Sequence, residues 1–296
     1  MRLSRDWSPV IADISKAGES SFRLEKAIPV AGGSINSAYR LEGGGVRYFV
    51  KTNSAERLDM FAAEAEGLTE LAGASAIRVP RPIACGADAS GSWLVCEFIP
   101  FGGRQGHSEQ LFGEQLAALH HHTAAQYGWP RHNTIGSTFQ DNSQTADWIS
   151  FFRDQRLQFQ MKLAGGQMGP SLQADAEELL ITIPGFFSGY TPAPSLLHGD
   201  LWGGNCAFDQ EGAPVIFDPA VYYGDREADL AMTELFGGFG AKFYAAYRGA
   251  WPLDQGYAVR KTLYNLYHVL NHANLFGGGY LHQAESMIGQ LLAEVR

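Results

Sequence analysis

Two carboxylates and an amide, set at short intervals among strand-like apolar runs, constrain this chain more than any other feature. Within Leu196–Asp229, Asp200 is followed by Asn205 and then by Asp218, and the segments Ser195-Leu-Leu and Pro214-Val-Ile-Phe lead into them. An acid that can take a hydroxyl proton, an amide oxygen and a second carboxylate that can hold Mg²⁺ are what phosphoryl transfer requires of a protein. A lone His198-Gly-Asp200 would be an ordinary turn. The spacing to Asn205 and Asp218 is what lifts it above that.

These strands lie in a helical setting. Apolar periodicity predicts helices over 108–125, 146–163, 173–183, 226–236, 239–247, 257–273 and 280–294. The first third reads differently, with strands expected over 22–30, 35–41, 46–51, 81–86 and 92–98 and one helix over 55–72. Gly43-Gly-Gly45 has hairpin-turn length, so the sheet is expected to be antiparallel. The chain is read as α+β and bilobal: a sheet-rich N-lobe over 1–99, a hinge over 100–106 around Pro100-Phe-Gly-Gly103, and a larger helical C-lobe over 107–296. A cleft at such a junction is where ligands commonly bind.

Composition narrows the function. The 296 residues are 45% apolar and 18% charged, ordinary for a globular protein with a sizeable core. A formal charge of −9, without clustered Lys and Arg, excludes a nucleic-acid binder. An anionic ligand such as ATP is still allowed if local amides, a lysine and a bound cation reverse the sign at the site. No apolar run reaches the ~20 residues that span a bilayer, which with Met1-Arg-Leu-Ser-Arg suggests a cytoplasmic protein without membrane partners. Cys85, Cys96 and Cys206 form no C-x-x-C pair and read as reduced, packing thiols.

Several residues carry candidate chemistry. Gly32-Gly33-Ser34 lies between two expected strands and can either cradle phosphates with its amides or simply make a hairpin turn. Lys51 ends the third strand, where a lysine is often only a solvated edge residue. The following helix gives it a partner. At 100° per residue from Leu58, the apolar face spans about 220° to 0°, and Glu64 falls inside it at about 240°. A glutamate on a buried face wants a cation, and Lys51 is the obvious one, although a rim Glu with its head in water fits the same arithmetic. Glu97, Phe98 and Ile99 close the fifth strand, where backbone groups could bind an adenine edge. His120-His-His122 cannot all face one ion, so one is expected to pack and two to be wet. His268 and His272, spaced i, i+4, read as packing or substrate-contact residues. Asp225, Glu227 and Asp229 open a helix and read as capping acids.

Taken together, His198-Gly-Asp-Leu-Trp-Gly-Gly-Asn205, Asp218-Pro-Ala, Tyr222-Tyr-Gly, Glu227-Ala-Asp-Leu-Ala-Met and Leu235-Phe-Gly-Gly-Phe239 resemble the fructosamine/ketosamine 3-kinase family. That family is a branch of the protein-kinase-like fold beside aminoglycoside and choline kinases. The resemblance runs nearly the length of the chain. It implies Asp200 as catalytic base, Asn205 and Asp218 as Mg²⁺ ligands, Lys51 with Glu64 as the pair that positions ATP phosphates under the Gly32–Ser34 loop, and Glu97–Ile99 as the adenine hinge. It also implies that Trp202 and His272 meet the substrate, a ketoamine sugar adduct on a small amine or a protein lysine. Phosphorylation at its 3-hydroxyl would lead to loss of phosphate and release of the amine, a repair reaction. Two positions depart from the family: Ser34 stands where many members carry cysteine, and Asp225 where histidine is frequent. The competing expectations are a small-molecule kinase of the aminoglycoside or choline type and a non-catalytic ATP-binding scaffold. The scaffold is disfavoured because it needs none of Lys51, Asp200, Asn205 and Asp218.

Overall fold

The computed structural model describes residues 5–18, 21–31 and 35–295. Five strands, β1 (Lys26–Val30), β2 (Ser37–Gly43), β3 (Val46–Asn53), β4 (Pro82–Asp88) and β5 (Gly91–Glu97), form one antiparallel sheet in the order β1-β2-β3-β5-β4. Alternation along β3 sorts its side chains between two cores. Val50, with Leu41 and Val95, faces an outer cluster sealed by helix α1 (Ser8–Ala17) through Val10 and Ile14. Its neighbour Lys51 points the other way, toward helix α2 (Leu58–Gly73), which packs on the sheet with Phe61, Leu68 and Leu71.

The sequence reading contains no α1, and its first strand, expected over 22–30, begins only at Lys26. Phe22 instead packs in the α1 cluster. Asp13 of α1 accepts a 2.9 Å hydrogen bond from the Trp93 indole, which fixes the helix on the sheet.

The remaining two thirds is mainly helical: α3 (Ser108–His120), α4 (Trp148–Ser150), α5 (Phe159–Ala164), α6 (Pro170–Thr182), α7 (Glu227–Leu235), α8 (Ala241–Ala250), α9 (Tyr257–Phe276) and α10 (Tyr280–Val295). The helix expected over 146–163 is present, but Phe151–Gln158 is wound as a π-helix. That widened turn carries the fully buried Arg156, whose guanidinium lies 4.6 Å from the Phe151 ring and 4.2 Å from the Tyr222 ring. A short hairpin of β6 (Asn133–Ile135) and β7 (Thr138–Gln140) was not legible in the sequence.

Two further ladders matter for function. Strand β8 (Ser195–Leu197) pairs with β11 (Tyr222–Gly224), and β9 (Cys206–Phe208) pairs with β10 (Pro214–Ile216), all antiparallel. They pin the ends of two loops, 198–205 and 217–221. Among the described residues no helix is long and apolar enough to cross a membrane.

Helices α3 and α8 meet through Gly113, where an added Cβ would fall 2.3 Å from the Phe243 carbonyl oxygen and 2.9 Å from the Tyr247 nitrogen. Gly113→Ala should therefore lower stability by about 1–3 kcal/mol in urea unfolding, despite better helix propensity. An unchanged midpoint would mean that the helices separate freely.

Candidate active site

The loop after β8 is shaped by a glycine and a buried acid. Gly199 adopts φ +81°, and a Cβ there would fall 2.1 Å from the Ala220 carbonyl oxygen, so only glycine fits. Asp229, in the first turn of α7, accepts hydrogen bonds from the N–H groups of His198 (2.7 Å) and Gly199 (2.9 Å). His120 Nε2 lies 3.2 Å from the same carboxylate, and Tyr247 hydroxyl lies 2.7 Å from His120 Nδ1. Burial pushes the Asp229 carboxyl up, but the hydrogen bond from His120, with help from the loop amides, overrides it and holds it below the usual range. Asp229 is thus not a capping acid, as the sequence suggested, but a buried anchor beneath the loop. Asp225 and Glu227 are also buried, and Asp225 keeps a capping contact, its Oδ1 accepting from the Glu227 N–H at 3.0 Å.

His198 ties this loop to the second one. Its Nε2 lies 2.9 Å from the Phe217 carbonyl oxygen, and its Nδ1 accepts from the Asp200 N–H at 3.2 Å. Burial lowers its pKa, so the ring stays neutral in this arrangement.

The structure brings the three predicted polar residues together. Asn205 Nδ2 donates to both the Asp200 carbonyl (2.9 Å) and Asp200 Oδ2 (3.0 Å), which leaves the Asn205 side-chain oxygen available. Asp218 sits on the second loop with φ +58°, an uncommon conformation for a side-chain-bearing residue, and its Oδ1 lies 2.6 Å from Lys51 Nζ. Lys51 Nζ is also 2.6 Å from Glu64 Oε1, as the helical arithmetic predicted. Burial works against the Lys51 charge, but the two carboxylates outweigh it and raise its pKa, so it stays an ammonium. Burial likewise raises Glu64, with Lys51 opposing.

Asp200 is half-buried at this junction. Burial, reinforced by the charges of Asp218 and Asp229 and opposed by the Asn205 hydrogen bond, pushes its carboxyl up to about 7.

Gly32, Gly33 and Ser34 lie outside the described residues. The chain just beyond them is fastened by Asn53, whose amide donates to the Ile35 carbonyl (3.2 Å) and to Asn36 Oδ1 (2.7 Å). At the expected hinge, the Glu97 carboxylate pairs with Arg78 (3.0 Å) and its N–H donates to the Arg81 carbonyl (2.8 Å). Phe98 lies under the Arg40 and Arg47 guanidiniums, and Ile99 is buried. Any adenine contact here falls to backbone groups other than the Glu97 N–H.

Trp202 and His272, far apart in sequence, join one aromatic wall. The Trp202 ring folds over Gly204, where a Cβ would fall 2.3 Å from it, and remains 37% exposed. Phe236 links the two, 6.0 Å from Trp202 and 5.0 Å from His272 between ring centres. Phe276 and Tyr280 flank His272 at 5.5 and 5.1 Å. His272 Nδ1 lies 2.8 Å from the His268 carbonyl oxygen, so this nitrogen is the donor. Phe236 was not singled out as a contact residue, although Gly237 and Gly238, both at positive φ, mark the end of α7 that presents it.

The remaining histidines follow the expected pattern. His120 is fully buried, whereas His121 and His122 are exposed, His121 stacked on Trp251 at 4.0 Å. Among the described residues no cluster of three or more His, Cys, Asp or Glu could hold a metal unaided.

Comparison with known proteins agrees with this architecture. The family model described as fructosamine kinase matches residues 6–294. A Synechocystis protein named "Probable ketoamine kinase slr1563" is 47% identical over 97% of both chains. A chloroplastic protein-ribulosamine 3-kinase of Arabidopsis thaliana is 43% identical, covering 91% of this chain and 83% of its own. The crystal structure of a Haemophilus somnus protein described as "Putative fructosamine-3-kinase" superposes with a TM-score of 0.87 at 27% identity, over 96% of each chain.

The raised Asp200 pKa makes a prediction for stability. Below the ordinary carboxylate pKa the folded and unfolded chains are both protonated there. Between about pH 4 and 7 the unfolded chain releases a proton that the folded one keeps, so stability falls with rising pH, and above 7 the cost is constant. Asp200→Asn should match the wild type near pH 4 and exceed it near pH 8 by on the order of 1–2 kcal/mol in thermal unfolding. A difference that does not vary with pH would remove the titration of Asp200 as its cause.

Proposed function

The chain belongs to the fructosamine kinase family, and we propose that it transfers the γ-phosphoryl group of ATP to the 3-hydroxyl of ketoamines, with Asp200 as the base. The observation that carries the residue roles is one buried ammonium, Lys51, held 2.6 Å from carboxylates of α2 and of the Asp218 loop, with Asp200 and Asn205 on the adjoining loop.

In the proposed reaction Asp200 accepts the acceptor's hydroxyl proton as the oxygen–phosphorus bond forms and the bond to the ADP leaving oxygen breaks. A carboxyl titrating near 7 suits that proton transfer at neutral pH. Asn205 orients the carboxylate through its amide N–H. Lys51, oriented by Glu64, supplies positive charge to the phosphate oxygens. The donor set fits Mg²⁺: the Asn205 side-chain oxygen and the Asp218 carboxylate are hard oxygen ligands, and an ion bound by two protein groups takes its remaining ligands from phosphate and water. When bound, Mg²⁺ would neutralise charge on the β- and γ-phosphates.

Trp202, Phe236 and His272 offer a flat, apolar face to a sugar and its attached amine. A polycationic aminoglycoside would instead call for free acids along the same wall, so the ketoamine reading is the better supported. The product carries phosphate on C3, beside the C2 carbonyl. Loss of a proton from C1 gives an enaminol, the nitrogen lone pair then expels phosphate from C3, and hydrolysis of the resulting imine frees the amine. The net outcome is deglycation. Cys85, Cys96 and Cys206 are unpaired, which supports a reducing, cytosolic setting for this chemistry.

The test is ATP turnover against ribulosamine, erythrulosamine, fructosamine, aminoglycoside and choline acceptors. We expect turnover of the ketoamines, a fall of about 10²–10⁴ in kcat for Asp200→Ala, and no reaction with a ketoamine whose 3-hydroxyl is methylated. Turnover of aminoglycosides alone would overturn the acceptor assignment.

A further inference from the structure

The aromatic wall does not end at His272. Phe276, at the C-terminus of α9, also lines a cavity of about 310 Å³ bounded by Ile35, Asn53, Arg57, Ser137 and Leu275. This cavity lies where the chain after Gly32–Ser34 meets the β6–β7 turn and the end of α9. A Cβ on Gly136 in that turn would be 3.0 Å from Leu275 and 3.3 Å from Ile35, so the three segments are in contact.

The polar groups of the cavity are unequal. The Asn53 amide is committed to Ile35 and Asn36, and its oxygen accepts from the Ser54 N–H at 2.7 Å. Arg57, immediately before α2, makes no ion pair among the described residues, whereas Arg131 is clamped between Asp59 and Glu66, and Arg78 between Glu97 and Asp209. Its chain neighbour Glu56 is bound chiefly by backbone and Ser54 hydrogen bonds and feels the Arg57 charge only as a lesser influence, and the Arg57 side chain is exposed. In a chain of charge −9, an exposed arginine without a direct ion pair, lining a cavity at the end of an apolar strip, favours an anion.

We propose that the acceptor site continues from Trp202 along Phe236, His272 and Phe276 and ends on Arg57, which holds the α-carboxylate of a free amino acid carrying the ketoamine. This rests on the ketoamine kinase reading and narrows it to a substrate class. The methylenes of a lysine whose ε-nitrogen bears the sugar lie on the aromatic strip, and the carboxylate reaches the guanidinium. A lysine within a protein has an amide in place of that carboxylate and forgoes the contact.

The test uses two acceptors made with the same sugar, the ε-ketoamine of free lysine and that of lysine carboxamide. Wild-type enzyme is expected to have a roughly tenfold lower KM for the carboxylate, the weight of a charge-assisted hydrogen bond in a partly exposed site. Arg57→Ala should raise that KM to the carboxamide value, leave kcat unchanged and leave carboxamide kinetics unaltered, and Arg57→Lys should restore part of the preference. Equal effects of Arg57→Ala on both acceptors, or no preference in the wild type, would overturn the subsite while leaving the ketoamine reading intact. Failure of the wild type to phosphorylate either compound would overturn both.

Discussion

The charge on Lys51 is the constraint around which the fold is arranged. An ammonium removed from water on a buried strand is tolerable only if carboxylates stand against it, and here they come from two directions, Glu64 on α2 and Asp218 on the loop between β10 and β11. The ion pairs therefore fix α2 relative to both the sheet and the helical part. Other contacts share that task. Gly67 allows α2 to approach Val221, where a Cβ would be 3.1 Å from the valine side chain. The Tyr223 hydroxyl donates to Glu70 at 2.7 Å, and Arg131 pairs with Asp59 and Glu66 further along the same face. The helix that orients the lysine is thus held along most of its length by residues flanking the Asp218 loop.

The same logic operates beneath the Asp200 loop. Three acids on one short stretch, Asp225, Glu227 and Asp229, are buried, and each has its own compensation. Asp225, pushed up by burial, accepts from the hydroxyls of Tyr264 (2.5 Å) and Tyr190 (3.0 Å). Glu227 receives both arms of Arg260 at 2.8 and 3.1 Å, and Asp229 takes two loop amides and His120. Such networks contribute little net stability relative to an apolar core, but they hold polar atoms in one geometry. Here the atoms held in place are the amides that set the direction of Asp200.

How much of this could be read from the chain depended on whether the signal was local. The Lys51–Glu64 pair was legible because helix periodicity alone places Glu64 on the inner face, and the loops were legible because Asp200, Asn205 and Asp218 lie close in sequence. Helix α1 carries an apolar pattern, Val10, Ile11 and Ile14, but the sequence reading starts its elements at Phe22 and does not include it. The π-helical turn at Phe151–Gln158 answers to Arg156 packing on Tyr222, a contact across many residues that no window detects. Asp229 is the clearest case. Acids at a helix start are ordinarily exposed, and only the folded chain brings His198, Gly199 and His120 around that carboxylate. Trp202 and His272 were reached through resemblance, and Phe236, which joins them, emerges only in three dimensions.

The electrostatic balance of the site gives a physical reason for the cation that the proposed chemistry calls for. Glu64 and Asp218 converge on a single ammonium and Asp200 lies within reach of the Asp218 charge, so the pocket proposed to receive the most anionic substrate part carries more negative than positive charge. The mutual repulsion is visible in Asp200, whose carboxyl is raised by burial first and then by the charges of Asp218 and Asp229. A triphosphate arriving alone would compete with Asp218 for Lys51 and leave that carboxylate facing phosphate oxygens. In the proposed reaction, a nucleotide arriving with Mg²⁺ would turn Asp218 from a repelling group into a ligand and lower the negative potential felt by Asp200, which would favour its carboxylate once the donor is bound. On the proposed roles, binding of the metal–nucleotide and readiness of the base would be coupled through the same few charges.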